Sequence, residues 1–257
     1  MTKTNVTMKK LLAGLGIATM MLTVPVTNVN ATSEIPINAK TFPDKIFRDE
    51  YVSKYFDKDK NGKLSEQEIE EITDIAISPG IWDPGFFEKI KDLTGIEYFT
   101  KLTSITINDT CLTKLDVSKN TALTELNLAG NYLTKLDVSK NKKLGSLDCS
   151  YNKLKKLDVS KNTALESLRC CFNGLTTLDL RSNTNLSHLD CAYNKLTTLD
   201  LRSNTNLLYL DCCGMRFEKL LDLRKNCNLE YANVGEWIDA RTYWPDVEDT
   251  NYHYHRW

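Results

Sequence analysis

The sequence lacks the local motifs on which most enzyme chemistry depends. It has no cysteine and histidine spacing typical of zinc sites, no glycine-rich phosphate loop and no serine nucleophile motif. Only three histidines occur, and His188 has no obvious nucleophile beside it. These absences argue against catalysis and favour a binding or structural protein.

A charge excess of one sign is also missing. The 33 Lys and Arg residues nearly balance the 34 Asp and Glu residues, which gives a net charge of −1. No basic block occurs, so the sequence offers no electrostatic case for nucleic acid binding. With 41% hydrophobic and 26% charged residues, the composition is that of an ordinary soluble chain that buries a core.

Long apolar runs are absent after the N-terminus. There, Lys9 and Lys10 precede a mostly apolar stretch at residues 11–24, and small residues end at Ala31. This order is typical of a secretory signal peptide, residues 1–31, whereas a membrane anchor would need about 20 apolar residues. We therefore expect a secreted or extracellular cell-surface protein without a transmembrane segment after signal removal.

A 21-residue repeat dominates the rest of the chain. The copies that begin at Leu123, Leu144, Leu165, Leu186 and Leu207 read LTELNLAGNYL, LGSLDCSYNKL, LESLRCCFNGL, LSHLDCAYNKL and LLYLDCCGMRF. Looser copies begin at Leu102 and Leu229, and residues 72–77 look like a first strand. The pattern L-x-x-L-x-L/C-x-x-N-x-L is the leucine-rich-repeat signature. It predicts an α/β solenoid of about eight coils over residues 72–234, with parallel β-strands on its concave face.

Each repeated position has a physical reason. Leu126 and Leu128 should point inward and Glu125 outward, because successive strand residues face opposite sides. One coil cannot cover its own apolar face, so the coils must stack. A column of asparagines should then bond the backbone where each chain turns inward: Asn131, Asn152, Asn173 and Asn194. A second set lies in the other turn and should bond nearby backbone: Asn120, Asn141, Asn162, Asn183 and Asn204.

Eight cysteines in a secreted chain suggest disulfides, but their spacing argues otherwise. Four of them recur every 21 residues at an inward strand position: Cys149, Cys170, Cys191 and Cys212. Neighbouring Cα atoms would lie within disulfide range, at about 4.8 Å, but parallel side chains would need a twist to bond. We expect a column of buried free thiols. Cys171 and Cys213 should point outward, too far apart to bridge.

Residues 57–68 fit the EF-hand calcium loop. Position six of the loop is Gly62, which permits the sharp turn, and helix-like patterns flank the loop on both sides. The expected ligands are Asp57, Asp59, Asn61, the Lys63 carbonyl, Ser65 or a water it holds, and a bidentate Glu68. The alternative is a polar turn that holds no metal. Only one loop is visible, and the first coil of the solenoid could replace the missing partner. We expect calcium, in a short helical EF-hand-like cap at residues 32–71.

The repeats resemble those of extracellular leucine-rich-repeat proteins of Gram-positive bacteria, related in style to internalins. The resemblance covers roughly residues 93–234 and is carried by the repeats quoted above. The cap is similar to the EF-hand-like or dockerin-like caps of some secreted members. Internalin repeats are usually one residue longer, and internalins carry sorting signals or surface-binding modules that this chain does not show. The resemblance implies an extracellular leucine-rich-repeat fold.

Outward strand residues form the candidate ligand face. Aromatic and arginine side chains are preferred at interface centres. The candidate ligand-binding residues are therefore Asp148, Arg169, His188, Asp190, Tyr209, Asp211 and Tyr231. At the rim, Tyr151, Phe172 and Tyr193 either join this face or simply pack a turn. We expect a monomer that binds a protein, peptide or glycan. Alternatives are a calcium-stabilised structural protein of the cell envelope and an inhibitor of an extracellular enzyme. Residues 235–257 should form a C-terminal cap or tail.

Overall fold

A computed structural model describes residues 34–77 and 90–235 of the chain. The expected signal peptide and all but the first residue of the expected tail lie outside these ranges. Two short strands pair antiparallel, β1 (Ile35–Pro36) and β2 (Lys63–Leu64). The helices are a π-helix (Phe47–Phe56), α1 (Glu66–Glu70) and a single 3-10 turn (Ile96–Tyr98).

The other eight strands form one parallel sheet in chain order. They are β3 (Asp74–Ile77), β4 (Ser104–Ile107), β5 (Glu125–Asn127), β6 (Ser146–Asp148), β7 (Ser167–Arg169), β8 (His188–Asp190), β9 (Tyr209–Asp211) and β10 (Tyr231–Asn233). The pairing Glu125↔Ser146 shows the register, in which each residue lies beside its equivalent one coil later. Strands β4 to β9 keep this 21-residue step, so about six turns are regular. The expected leucine-rich-repeat solenoid is confirmed.

The interior is a stack of equivalent side chains, one from each coil. Leu126 and Leu128 are buried and Glu125 is exposed, as the alternation predicts. The expected cysteine column is buried at every position and contains no disulfide: Cys149, Cys170, Cys191 and Cys212.

Cys171 corrects one expectation, because it is buried rather than outward-facing. Strand β7 ends at Arg169 and the chain then turns, so the alternation of the strand no longer decides where side chains point. The equivalent residues Ser150 and Ala192 are small and buried as well.

The first asparagine column fills the role expected of it. The Asn152 amide donates to the carbonyls of Leu128 (2.9 Å) and Cys149 (3.1 Å), and its Oδ1 accepts from the Leu133 N–H at 2.9 Å. One side chain therefore joins two successive coils, and buried polar backbone that no strand ladder reaches is satisfied. The column ends at Met215, which is buried in place of the next asparagine.

The second asparagine column does more than the local turn role that the sequence predicted. Asn183 is wholly buried, and its amide donates to Val159 O (3.1 Å) and Asn162 O (2.9 Å) in the preceding coil. The other members make the same pair of bonds: Asn120, Asn141, Asn162, Asn204 and Asn226. The local role belongs instead to aspartates such as Asp158, whose Oδ1 accepts from the Ser160 N–H at 2.9 Å.

Replacing Asn183 with Ala should destabilise the solenoid strongly. The change removes one of two donors from each of two buried carbonyls, Val159 O and Asn162 O, which still accept the N–H groups of Asn162 and Leu165. Each hydrogen bond lost costs about 0.5–1.5 kcal/mol net. Urea denaturation should therefore show a loss of about 1–3 kcal/mol in the free energy of unfolding. Asn185→Ala is the matched control, because Asn185 is exposed and makes one longer bond to Thr163 O, at 3.4 Å. Equal losses in the two variants would contradict an inter-coil role for Asn183.

Candidate binding face and calcium loop

The side of the sheet that points away from the core, called the sheet face below, carries two columns of side chains. In the first column, the residues on the last two strands, β9 and β10, are aromatic. Tyr209 and Tyr231 stack with ring centroids 4.6 Å apart and an interplanar angle of 7°, and His188 lies 6.2 Å from Tyr209. Because the strands are in register, residues 22 or 21 positions apart in the sequence meet as neighbours.

The second column is mainly acidic: Asp148, Arg169, Asp190 and Asp211, followed by Asn233. Asp190 and Asp211 are side by side on paired strands. Each carboxylate accepts a local N–H, from Ala192 to Asp190 (3.2 Å) and from Cys213 to Asp211 (3.1 Å). These bonds fix one oxygen of each carboxylate at the end of its strand.

Charges in the second column are only partly compensated. Arg169 is exposed and forms none of the ion pairs found among the described residues. Asn233 donates to Asp211 Oδ2 at 3.2 Å, a contact that the sequence did not suggest. The column therefore presents partly uncompensated carboxylate oxygens at the surface.

Burial shifts the ionisation of this face. It raises the pKa of the Asp190 carboxyl, and the charge of Asp211 raises it further. The Cys171 thiol, the Ala192 N–H and Arg169 oppose this shift without reversing it. Burial and then Asp211 raise the pKa of Tyr209 to about 12. Both changes show that the C-terminal half of the face is partly desolvated and negative.

The structure brings together most, but not all, of the predicted ligand residues. His188, Asp190, Tyr209, Asp211 and Tyr231 share the adjacent strands β8 to β10. Asp148 and Arg169 lie on β6 and β7, further along the same face. The functional unit suggested by the geometry is therefore the patch on β8 to β10, with Arg169 at its edge.

The acidic loop at residues 57–68 is the second candidate site. Carboxylate oxygens of Asp57, Asp59 and Glu68 lie within 4.8 Å of one another. Asp57 accepts from the N–H groups of Asn61 (3.1 Å) and Gly62 (2.9 Å), and Gly62 adopts a left-handed φ of 79°. These bonds curl the loop around the carboxylates.

Glu68 closes the loop. It completes the expected capping box with Ser65, and its other oxygen accepts from the Lys58 N–H at 2.8 Å. Burial would raise the pKa of Glu68, but the hydrogen bonds from Ser65, Lys58 and Asp59 outweigh burial and lower the pKa. The carboxylate is thus held ionised at the inner side of the loop.

The partner strand of the loop is not the first coil, as the sequence suggested. Strand β1 pairs with Lys63 and Leu64 instead, and the Ile37 N–H donates to Gly62 O at 2.9 Å. Strand β1, which precedes the π-helix in the chain, is therefore the partner of the loop. The expected ligands Asn61, Lys63 and Ser65 belong to the same loop, where the Asn61 Oδ1 accepts from the Lys63 N–H at 2.8 Å.

The in-register parallel sheet, the 21-residue coils and the asparagine columns define a leucine-rich-repeat scaffold. Solved structures of internalins share it. An internalin C2 from Listeria monocytogenes is 19% identical with a TM-score of 0.70, over 87% of this chain and 97% of that one. An internalin, inlF, from the same organism is 24% identical with a TM-score of 0.67, over 81% of this chain and 61% of that one.

A third similar structure is the functional domain of InlJ from Listeria monocytogenes, described as including a cysteine ladder. It is 29% identical, over 81% of this chain and 63% of that one, with a TM-score of 0.43. The chain thus spans less than two thirds of two of these three structures. No protein-family model and no curated protein matches the sequence. In the described ranges, no helix has the length and apolar character needed to cross a membrane.

Asp190→Asn should stabilise the protein at neutral pH. The folded pKa of Asp190 lies above the unfolded value of about 3.9, so the ionised carboxyl destabilises the fold as pH rises through that window. The neutral amide avoids this penalty. Urea denaturation should show a gain at pH 7 that disappears near pH 3.5.

Asp179→Asn should instead destabilise the protein at neutral pH. Arg181 lowers the pKa of Asp179 to about 2, so ionisation of this exposed carboxyl favours the folded state at neutral pH. A loss of stability in Asp190→Asn at pH 7 would show that the hydrogen bonds of the carboxylate outweigh its desolvation.

Proposed function

We propose that this chain is a secreted or cell-surface module that binds a protein or peptide through the patch on β8 to β10. The observation that carries the proposal is the stacked Tyr209–Tyr231 pair beside the adjacent carboxylates of Asp190 and Asp211. Tyrosine supplies large contact area at low entropic cost, and carboxylates supply charge that a partner can match. Internalin structures share the fold, which supports an interaction scaffold rather than an enzyme.

The electrostatics of the patch point to a basic partner segment. Two neighbouring carboxylates repel each other, and burial penalises the Asp190 charge. A lysine or arginine from a partner would relieve both costs at once. Arg169 at the edge would orient the partner by repelling a second cation placed there.

Replacing both carboxylates should strongly reduce capture of the partner. Immobilised protein carrying Asp190→Asn and Asp211→Asn should retain about tenfold less of the proteins that the unchanged chain captures from envelope or host extracts. The matched control, Asp179→Asn with Asp200→Asn, removes the same charge from the exposed Asp–Arg pairs outside the sheet. Quantitative mass spectrometry compares the three eluates. Identical eluates from the two double variants would contradict the proposal.

We also propose that the loop at residues 57–68 holds a structural calcium ion. Asp57, Asp59 and Glu68 would supply carboxylate oxygens, with Asn61, the Lys63 carbonyl and Ser65 completing the oxygen set. The convergence of three carboxylates and the left-handed Gly62 support the fit. A bound ion would supply positive charge that stabilises the cap, with the modest affinity of extracellular modules, a Kd of about 10⁻⁴–10⁻³ M.

Calcium should raise the melting temperature. At a concentration about 100-fold above Kd, ligand linkage adds about 2.7 kcal/mol to the free energy of unfolding. Differential scanning calorimetry with calcium and with EDTA measures the difference. Asp59→Asn should reduce it, whereas Glu66→Gln, an exposed change on α1 outside the expected ligand set, should preserve it. If the melting temperature is the same with calcium and with EDTA, the loop is a polar turn that binds no ion. The same result would rule out the alternative of a calcium-stabilised envelope protein.

A further inference from the structure

Three aromatic rings form an exposed ladder along one rim of the sheet. Tyr151, Phe172 and Tyr193 stack with centroids 4.4 Å apart at each step and interplanar angles of 11° and 16°. Their exposed fractions are 56%, 40% and 49%. We call these three residues the aromatic ladder. It is one ring wide and runs across three successive coils.

The backbone of the aromatic ladder is strained. The φ angles are 53°, 52° and 53°, in the left-handed region that bulky side chains rarely adopt. The same position in the neighbouring coils is Gly130 and Gly214, which adopt this conformation without a Cβ penalty. One coil further it is Asp109, a short polar residue with a φ of 52°. The turn therefore does not require an aromatic side chain. A surface role accounts for the aromatic side chains at these three coils.

Exposed basic residues follow the aromatic ladder closely in the chain. Lys153 and Lys195 come two residues after Tyr151 and Tyr193, and both are exposed. The neighbours of this kind are Lys135, Lys153, Lys155, Lys156, Lys195 and Arg216, which we call the basic flank. All are exposed, and none takes part in the ion pairs found in the described ranges. Lys153 Nζ lies 4.6 Å from the ring centroid of Tyr132.

The way the rings stack limits what can bind. Both faces of Phe172 are covered by its neighbours, and Gly214 lies so near the other face of Tyr193 that a Cβ there would approach the ring to 2.6 Å. Phe172 and Tyr193 therefore offer ring edges rather than open faces, whereas nucleic acid bases stack on open ring faces. A linear polymer that carries negative charge and many hydroxyl groups fits this surface better.

We propose that the aromatic ladder and the basic flank together bind an acidic polysaccharide. The lysines neutralise its carboxylates, and the tyrosine hydroxyls and ring edges contact the sugar units. The C-terminal end of the ladder adjoins the acidic patch on β8 to β10, because Cys213 and then Asp211 raise the pKa of Tyr193. The patch would repel the same ligand, so the ligand should lie on the side of the basic flank. The chain would then engage a protein on one face and an anionic glycan on its rim.

Affinity electrophoresis in gels that contain polygalacturonate tests the proposal. The unchanged protein should be retarded, and added salt should weaken the retardation because the attraction is between exposed charges. Lys153→Gln, Lys195→Gln and Arg216→Gln together should lower the affinity at least tenfold. Phe172→Gly with Tyr193→Gly should lower it severalfold, and glycine suits the left-handed backbone there, so the fold is retained.

The matched control changes three lysines at the other edge of the coils, Lys119→Gln, Lys140→Gln and Lys161→Gln. It removes the same charge and should leave the retardation unchanged, and neutral dextran should retard none of the proteins. The proposal is overturned if polygalacturonate does not retard the unchanged protein, or if the control variant loses as much affinity as the flank variant. Tighter binding of single-stranded DNA than of polygalacturonate would equally overturn it.

Discussion

The structure depends on how each coil satisfies the backbone polar groups at the turns of its neighbour. A coil that turns twice in 21 residues leaves carbonyls that no strand ladder reaches, and buried carbonyls without a donor are costly. Asn152 represents the column that provides such donors, and Asn183 represents the column that adds a second donor to carbonyls already bonded within their own turn. Each column bonds the coil before it. Because the amide must meet the same carbonyls each time, the coils are held in one register.

Exact stacking turns sequence repetition into surface columns. Glu125 lies beside Ser146 for the same reason that Asn162 lies beneath Asn183. Inward positions stay small or apolar because they share one interior, whereas outward positions are free to vary. Variation in those positions creates the acidic and aromatic patch near Asp190 and the basic flank near Lys153, two surfaces of opposite charge on one scaffold.

Both surfaces retain features that the fold itself does not need. The ionised Asp190 is penalised by burial, and the ring of Phe172 has a backbone conformation that suits glycine. Such departures from local preference are typical of binding sites, where stability is sacrificed for recognition. The acidic loop differs, because its carboxylates are supported by backbone N–H groups at every step.

The sequence by itself determined the repeat length, the inward leucine and cysteine columns, the first asparagine column and the capping box of Ser65 and Glu68, because these follow from periodicity and local bonding. Only the tertiary structure decided the burial of Cys171, the inter-coil role of Asn183 and the pairing of β1 with the acidic loop. Each of these depends on which distant backbone lies beside the residue, and spacing along the chain does not encode that. The stacking of Tyr209 on Tyr231 is intermediate: the repeat placed both rings in one column, but their parallel contact required the folded neighbour.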